Sequence, residues 1–448
     1  METKEAMLSE HLSQNDARRQ RKGAEFVDLT KQQAAYRGQQ VGVRYGVALY
    51  VVFFINGLVL ASWAPRIPQV KEQLQLSDGQ LGLALLGVAL GSVPAMPAAG
   101  SLVNRFGSRA VARTAVLLYA AAIALPGLAR SLTELMVSLA VLGAAVGALD
   151  VAMNAHAVDV ERSSGRARLS SFHALFSAGA LAGALVGTLA AAGGVTPRAQ
   201  FTASAVVAVL AAGSAAAALR PAAHQHPGPA RSRSAPGTSA TAPVSAPVSR
   251  FTPRLLLLSA LGLCVLLIEG VVTDWGSVYL ADSLHAGPGL AGAGYAAFAV
   301  AMTAGRLGGD WTAGRFGPVR VVRVGALLTA AGAMVVIVTG HPVVAVVFFA
   351  LVGLGIAASF PLVVSGASRL HTGSPGTAVA TVSTTGYFAF LAGPPLIGFL
   401  ASHSSVRVAL LVLPVLAVAT ALLASLLAVE DRPSLSTPPT TSEPSATI

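Results

Sequence analysis

Gly100-Ser101-Leu102-Val103-Asn104-Arg105-Phe106-Gly107 falls where an apolar run gives way to basic residues. The chain repeats this change 210 residues later, at Asp310-Trp311-Thr312-Ala313-Gly314-Arg315-Phe316-Gly317. Arg105-Phe106-Gly107 and Arg315-Phe316-Gly317 are therefore in register, and other glycines keep the offset: Gly79 with Gly289, Gly143 with Gly353, Gly183 with Gly393. A long apolar chain built from two such halves is the signature of a secondary transporter, with a substrate site at the seam between two bundles that rock against each other.

Composition agrees. Hydrophobic residues are 54% of the 448 residues and charged residues 11%, against roughly 25% charged in soluble domains. A span needs about 20 apolar residues. Twelve helices are predicted, near 44–64, 80–103, 111–129, 134–158, 169–192, 199–219, 254–280, 289–312, 321–339, 342–367, 376–401 and 406–428. The expected fold class is all-α: a polytopic membrane protein with twelve transmembrane helices in two six-helix bundles. The expected organisation is a polar tail (1–43), a bundle (44–220), a linker rich in Pro, Ala, Ser and Thr (221–252), a second bundle (253–430) and a tail (431–448). Such a linker composition predicts disorder. The first 43 residues are polar and mixed in charge, and the first apolar run is long enough to span, so no cleavable signal peptide is expected. Cys264 is alone, which excludes a disulfide framework.

A net charge of +11 could suggest nucleic acid, but its distribution argues for topology. On the twelve-helix map 24 of the 30 Lys and Arg fall on the side of both tails and the linker. Five fall opposite (Arg66, Lys71, Arg130, Arg198, Arg407), and Arg306 lies within a helix. Cytoplasmic loops carry such an excess, so both termini are expected in the cytoplasm, with the chain in a bacterial-type inner membrane. No Walker-type phosphate loop is present, and the histidines and the cysteine lack metal-ligand spacing, with His224 and His226 in the linker. Neither a cofactor, a metal nor ATP-driven transport is expected, and no nucleophile or metal constellation suggests an enzyme.

With these residues in view the sequence resembles the major facilitator superfamily over roughly 44–430. The family's loop motif, Gly-x-x-x-Asp-Arg-x-Gly-Arg-Arg, is matched by Gly100, Arg105, Gly107 and Arg109, with Asn104 at the aspartate; the second copy keeps Arg315 and Gly317, with Gly314 at the acidic position. Ala61-Ser62-Trp63 with Arg66, Val151 to Asn154, His173, Glu269-Gly270, Asp274-Trp275, Phe360-Pro361, Thr384 to Tyr387 and Gly393-Pro394-Pro395 are similar to a branch holding a rhizopine-associated membrane protein and uncharacterised enterobacterial inner-membrane facilitators. The resemblance implies that helices 1, 4, 7 and 10 line a cavity, and it gives mechanism better than ligand.

Charged residues within a bilayer are costly and point first to function. Asp150, mid-helix, has Asn154 one turn on along the same face; the pair either faces substrate and protons or is a permanently paired structural group. Glu269 lies near mid-membrane and Asp274 about 140° round the helix. Glu269 is the candidate for substrate or proton, against a structural bond between bundles, and Asp274 the candidate for a gate. Asn56, His173 and Tyr387 complete the proton and substrate set, with His173 equally readable as a packing residue. Trp63 with Arg66, and Asp274 with Trp275, form the expected outer gate, against an ordinary interfacial aromatic belt. The expected inner gate sets Arg105 or Arg109 against Asp159 or Glu161 when the inside is closed, with Arg315 in the second copy. Arg306 and Asp310, four residues apart, are expected to pair on one helix face as a clamp.

The reading is a monomeric, proton-coupled secondary transporter in the lipid bilayer. It moves a small neutral or cationic polar metabolite, polyhydroxylated or amino-sugar-like, with export preferred. Sugar or nutrient uptake and a non-transporting receptor or scaffold are the alternatives. Reporter fusions within residues 221–252 should place the linker in the cytoplasm; an exterior signal there contradicts the charge-based topology.

Overall fold

The computed structural model describes residues 47–164, 168–219, 252–369 and 375–428; the expected tails and linker lie outside them. Twelve long helices run through the described residues: α1 (Val47–Gln73), α2 (Asp78–Phe106), α3 (Ser108–Leu128), α4 (Leu132–Ser164), α5 (Leu169–Ala192), α6 (Pro197–Ala218), α7 (Pro253–Ser283), α8 (Pro288–Phe316), α9 (Pro318–Val338), α10 (Pro342–Ser368), α11 (Pro375–His403) and α12 (Val406–Leu427). Eleven are long and apolar enough to cross a membrane. The other, α8, has 29 residues but carries Arg306, Asp310 and Arg315. The first helix runs past the expected end at 64 because a 3₁₀ turn, Ala64–Arg66, carries it into Ile67–Gln73.

Proline sets the breaks within spans. It has no N–H to give the carbonyl four residues back, so the ladder loosens there. Pro126, Pro361 and Pro414 follow turns at Ile123, at Ala357–Ala358 and at Leu410–Leu411, respectively. Gly107 and Gly317, the repeated glycines of the opening motif, carry φ of +83° and +79° and join α2 to α3 and α8 to α9. A side chain is strained at such angles.

The repeat is visible in packing. A Cβ on Gly143 would run into the Val88 carbonyl, pressing α4 onto α2; one on Gly353 would run into the Phe298 carbonyl, pressing α10 onto α8. Val88 and Phe298 are themselves 210 residues apart. Lipid supplies no hydrophobic drive between helices, so close backbone approach through small residues has to hold them.

The halves meet at one end, formed by the last turns of α1, α5, α7 and α11 and the first turns of α2 and α8. A Cβ on Gly82 would lie 2.7 Å from the Pro394 carbonyl oxygen, and one on Gly398 would lie 2.9 Å from Cα of Gly82, so α2 and α11 touch backbone to backbone. The related pair is α8 on α5: a Cβ on Gly292 would lie 3.0 Å from the Thr188 hydroxyl, and one on Gly289 2.6 Å from the Ala192 methyl. At the opposite end Leu102, Asn104, Arg105 and Phe106 of α2 are exposed, as are Arg306, Leu307 and Asp310 of α8. A small separate core there, Leu255, Leu258, Val322, Val363 and Leu427 among its members, belongs to the second half alone. The molecule is closed at the Lys71 end and parted at the Arg105 end. Gly82→Val should force the seam apart, at a cost of about 1–3 kcal/mol, seen as a lower melting temperature; Gly100→Val, where nothing lies within 4 Å, should melt like the parent. Equal melting of both variants and parent contradicts the packing.

Candidate functional site

The polar groups within the spans come from mid-helix positions. On α4, Asn154 Nδ2 donates to the Asp150 carbonyl oxygen at 2.9 Å and weakly to its Oδ1 at 3.4 Å. Both residues are half-buried, and no cation partners Asp150 among the described residues. On α7, Glu269 accepts from Arg306 Nη2 of α8 at 3.1 and 3.3 Å. Arg306 therefore turns to Glu269 and not to Asp310; the expected clamp is wrong. The long guanidinium reaches a neighbouring helix whose carboxylate is 24% exposed, where an ion pair gains more than on the more solvated face that Asp310 occupies. Asp274, also half-buried, has no hydrogen-bond or ion-pair partner among the described residues.

Two buried tyrosines lie outside the expected set. Tyr119 of α3 is fully buried and donates to the Asn56 carbonyl at 3.2 Å. Tyr295 of α8 is buried, with its ring 6.4 Å from that of Phe298. The available signal was a tyrosine in mid-span, whose hydroxyl needs a partner when buried.

Other candidates sit elsewhere. Asn56 is 1% exposed, its Nδ2 3.6 Å from Met153 Sδ, so it belongs to the first bundle's core and does not open on the seam. His173 is exposed, its ring edge-on to Phe53 at 5.3 Å. The side chain of Tyr387 lies outside the described residues.

The expected outer gate is not formed. Arg66, 1% exposed, donates Nη2 to the Val195 carbonyl of its own half, not to Asp274. Trp63 packs on Phe201 at 5.8 Å, and Trp275 is fully buried, so neither is an interfacial tryptophan. Among the described residues, the ion pair that crosses between halves is Lys71 with Asp282, while Lys71 also holds Asp78. The helical extension past the expected end at 64 puts Lys71 there. With the Arg105 end parted, the inner-gate pairs are not formed: Asp159 Oδ2 accepts from Ser108 Oγ at 2.7 Å, His156 Nδ1 is 3.1 Å from that hydroxyl, and Arg109 Nε donates to the Leu219 carbonyl at 2.6 Å. Glu161 accepts from the Arg168 N–H at 2.8 Å, and Arg105 lies over Phe106 at 5.2 Å. All these residues belong to the first half, so their bonds staple one bundle rather than join two. Arg315 is exposed at the end of α8.

The family model of the Major Facilitator Superfamily matches residues 49–370 and 275–448. An uncharacterized MFS-type transporter of Yersinia pestis is 36% identical over 83% of this chain and 92% of its own length. The chain belongs to the major facilitator superfamily. Membrane protein MosC of Rhizobium meliloti is 31% identical over 80% of this facilitator and 84% of its own length. Among solved structures, a point mutant of the nucleoside transporter NupG superimposes with a TM-score of 0.68 at 11% identity, over 85% of this chain and 98% of that one, a likeness of fold. This is a multi-pass facilitator with its polar seam between two six-helix bundles.

The Lys71 bridge gives a direct test. In Lys71→Ala, a cysteine at Ala291, buried in the first turn of α8, should react faster with a water-soluble maleimide than in the otherwise identical protein with Lys71. An unchanged rate contradicts its role in holding this end closed.

Proposed function

We propose that this facilitator is a proton-coupled carrier of a small polar metabolite, neutral or cationic and rich in hydroxyl or amino groups, moved outward. The observation that carries the reading is the unequal treatment of the seam's acids. Glu269 is neutralised by Arg306, whereas Asp150 and Asp274 have no cation among the described residues. A carboxylate withdrawn from water is costly to keep charged, which is the property a proton carrier uses. Three acids against one arginine also disfavour an anionic substrate. Asn154, Tyr295 and the Glu269–Arg306 pair offer donors and acceptors on both sides of the seam, a pattern that suits several hydroxyl groups on one ligand.

Asp150 is the proposed proton carrier, and Glu269 with Arg306 the proposed substrate contact. Proteoliposomes screened with sugars, cyclitols and organic cations under an imposed proton gradient would find the substrate. With that substrate in everted vesicles, Asp150→Asn should reduce gradient-driven accumulation at least about tenfold, the scale of a lost 1.4 kcal/mol coupling, and leave counterflow exchange intact. Glu269→Gln should weaken binding and leave coupling. Parental accumulation by Asp150→Asn overturns proton coupling through this residue. No counterflow with any substrate, by a parent that folds normally, favours a receptor.

A further inference from the structure

A groove of about 750 Å³ runs between α2, α3 and α4 on the outside of the first bundle, away from the seam. Alanines at 110, 121, 144 and 148 make it deep, and exposed Leu102, Phe106, Leu118 and Val141 form its rims. Its one hydroxyl, Thr114, is turned onto the Ala110 carbonyl at 3.2 Å, so the wall presents no free donor. The volume lies within the roughly 300–1,000 Å³ of ligand-sized clefts. Phe106 closes one end, with the Arg105 guanidinium over its ring. Arg105 pairs with no carboxylate among the described residues: Asn104 stands beside it where an acid would neutralise it, and Asp159 is held by Ser108.

The second half has a smaller cleft at the repeat-related turn, where α8 passes into α9. A cleft of about 580 Å³ is lined by Phe316, Arg320, Arg323 and Val324, and Phe316, Arg320 and Val324 follow Phe106, Ala110 and Thr114 by 210 residues. Arg320 has no acid partner among the described residues. Arg323 donates Nε to the Ala421 carbonyl at 3.3 Å, leaving its other nitrogens toward the cleft. Asp310, the acid of α8, is exposed and bonds to none of these arginines.

Basic groups at the end of an apolar furrow between spans are complementary to an anionic lipid: the chain takes the furrow and the phosphate the cation. We propose that the α2–α3–α4 groove holds an acyl chain of an anionic phospholipid with its phosphate against Arg105, and that the cleft at the start of α9 is its repeat-related counterpart, with Arg320 and Arg323 taking the phosphate. The inference is independent of the transport reading.

Native mass spectrometry of the delipidated full chain, titrated with palmitoyl-oleoyl phosphatidylglycerol or the matching phosphatidylcholine, tests it. The parent should retain phosphatidylglycerol in preference, at up to two copies. Arg105→Gln and Arg320→Gln should each weaken retention at one site about fivefold, the equivalent of about 1 kcal/mol per arginine, and Arg105→Lys should restore much of it. Ala144→Phe, which fills the groove and leaves the charge, should remove one copy. Melting temperatures identify any variant that fails to fold, and the remaining variants then decide. Equal retention of the two lipids means annular lipid only, and overturns the proposal. So does parental retention by the glutamine variants, or displacement of the lipid by millimolar inorganic phosphate, which would mean a site for the free anion.

Discussion

Two helix backbones reach van der Waals contact only where no Cβ stands between them, and this facilitator places that freedom where its halves meet. Gly82 against Gly398 and the Pro394 carbonyl, and Gly292 against Pro65 and Thr188, are contacts of this kind. Among the described residues these contacts are shallow, and the directional bond beside them is the Lys71–Asp282 bridge. Packing in lipid rests on such contacts and not on hydrophobic expulsion, so a seam of this kind can open without breaking a bonded ladder. Within each half the opposite holds. Gly143 on Val88 and Gly353 on Phe298 lock α4 to α2 and α10 to α8, and the Ser108–Asp159 and Arg109–Leu219 bonds staple the loop end of the first bundle. Rigid halves joined by a weak seam are the mechanical requirement of alternating access.

The polar groups follow the same division. Electrostatic interactions are stronger where water is excluded, and the described charges use this unequally. The Glu269–Arg306 pair is internal to one half and would survive a rocking motion. Asp150 stands in the first half and Asp274 in the second, neither with a cation among the described residues.

Much of the fold was legible in the sequence because it is written in backbone-level rules. Span length foretold the helices to within a few residues at most ends. The repeated Arg-Phe-Gly marks two glycines of positive φ at matching turns, and the 143/353 pair marks a shared packing contact. Gates were less legible, because long side chains choose among partners that only the fold brings near. Arg306 had Asp310 one turn away and took Glu269 on another helix; Arg66 had Asp274 in prospect and took a carbonyl of its own half. Lys71 looked like a loop charge until Ala64–Arg66 carried α1 onward. Tyr119 and Tyr295 carried no motif at all.

The central claim, that the halves pivot about a seam closed at the Lys71 end, is tested most directly by spin-label distances at both ends of one molecule. In a Cys264→Ser background, one pair of cysteines would replace Gln73 and Ser404, and a second pair Asn104 and Gly314, all exposed. Measured by double electron–electron resonance in nanodiscs under mildly acidic and mildly alkaline conditions, the two distance distributions should shift in opposite directions, one end closing as the other opens. Distances that stay fixed at both ends, or lengthen together, would contradict the account.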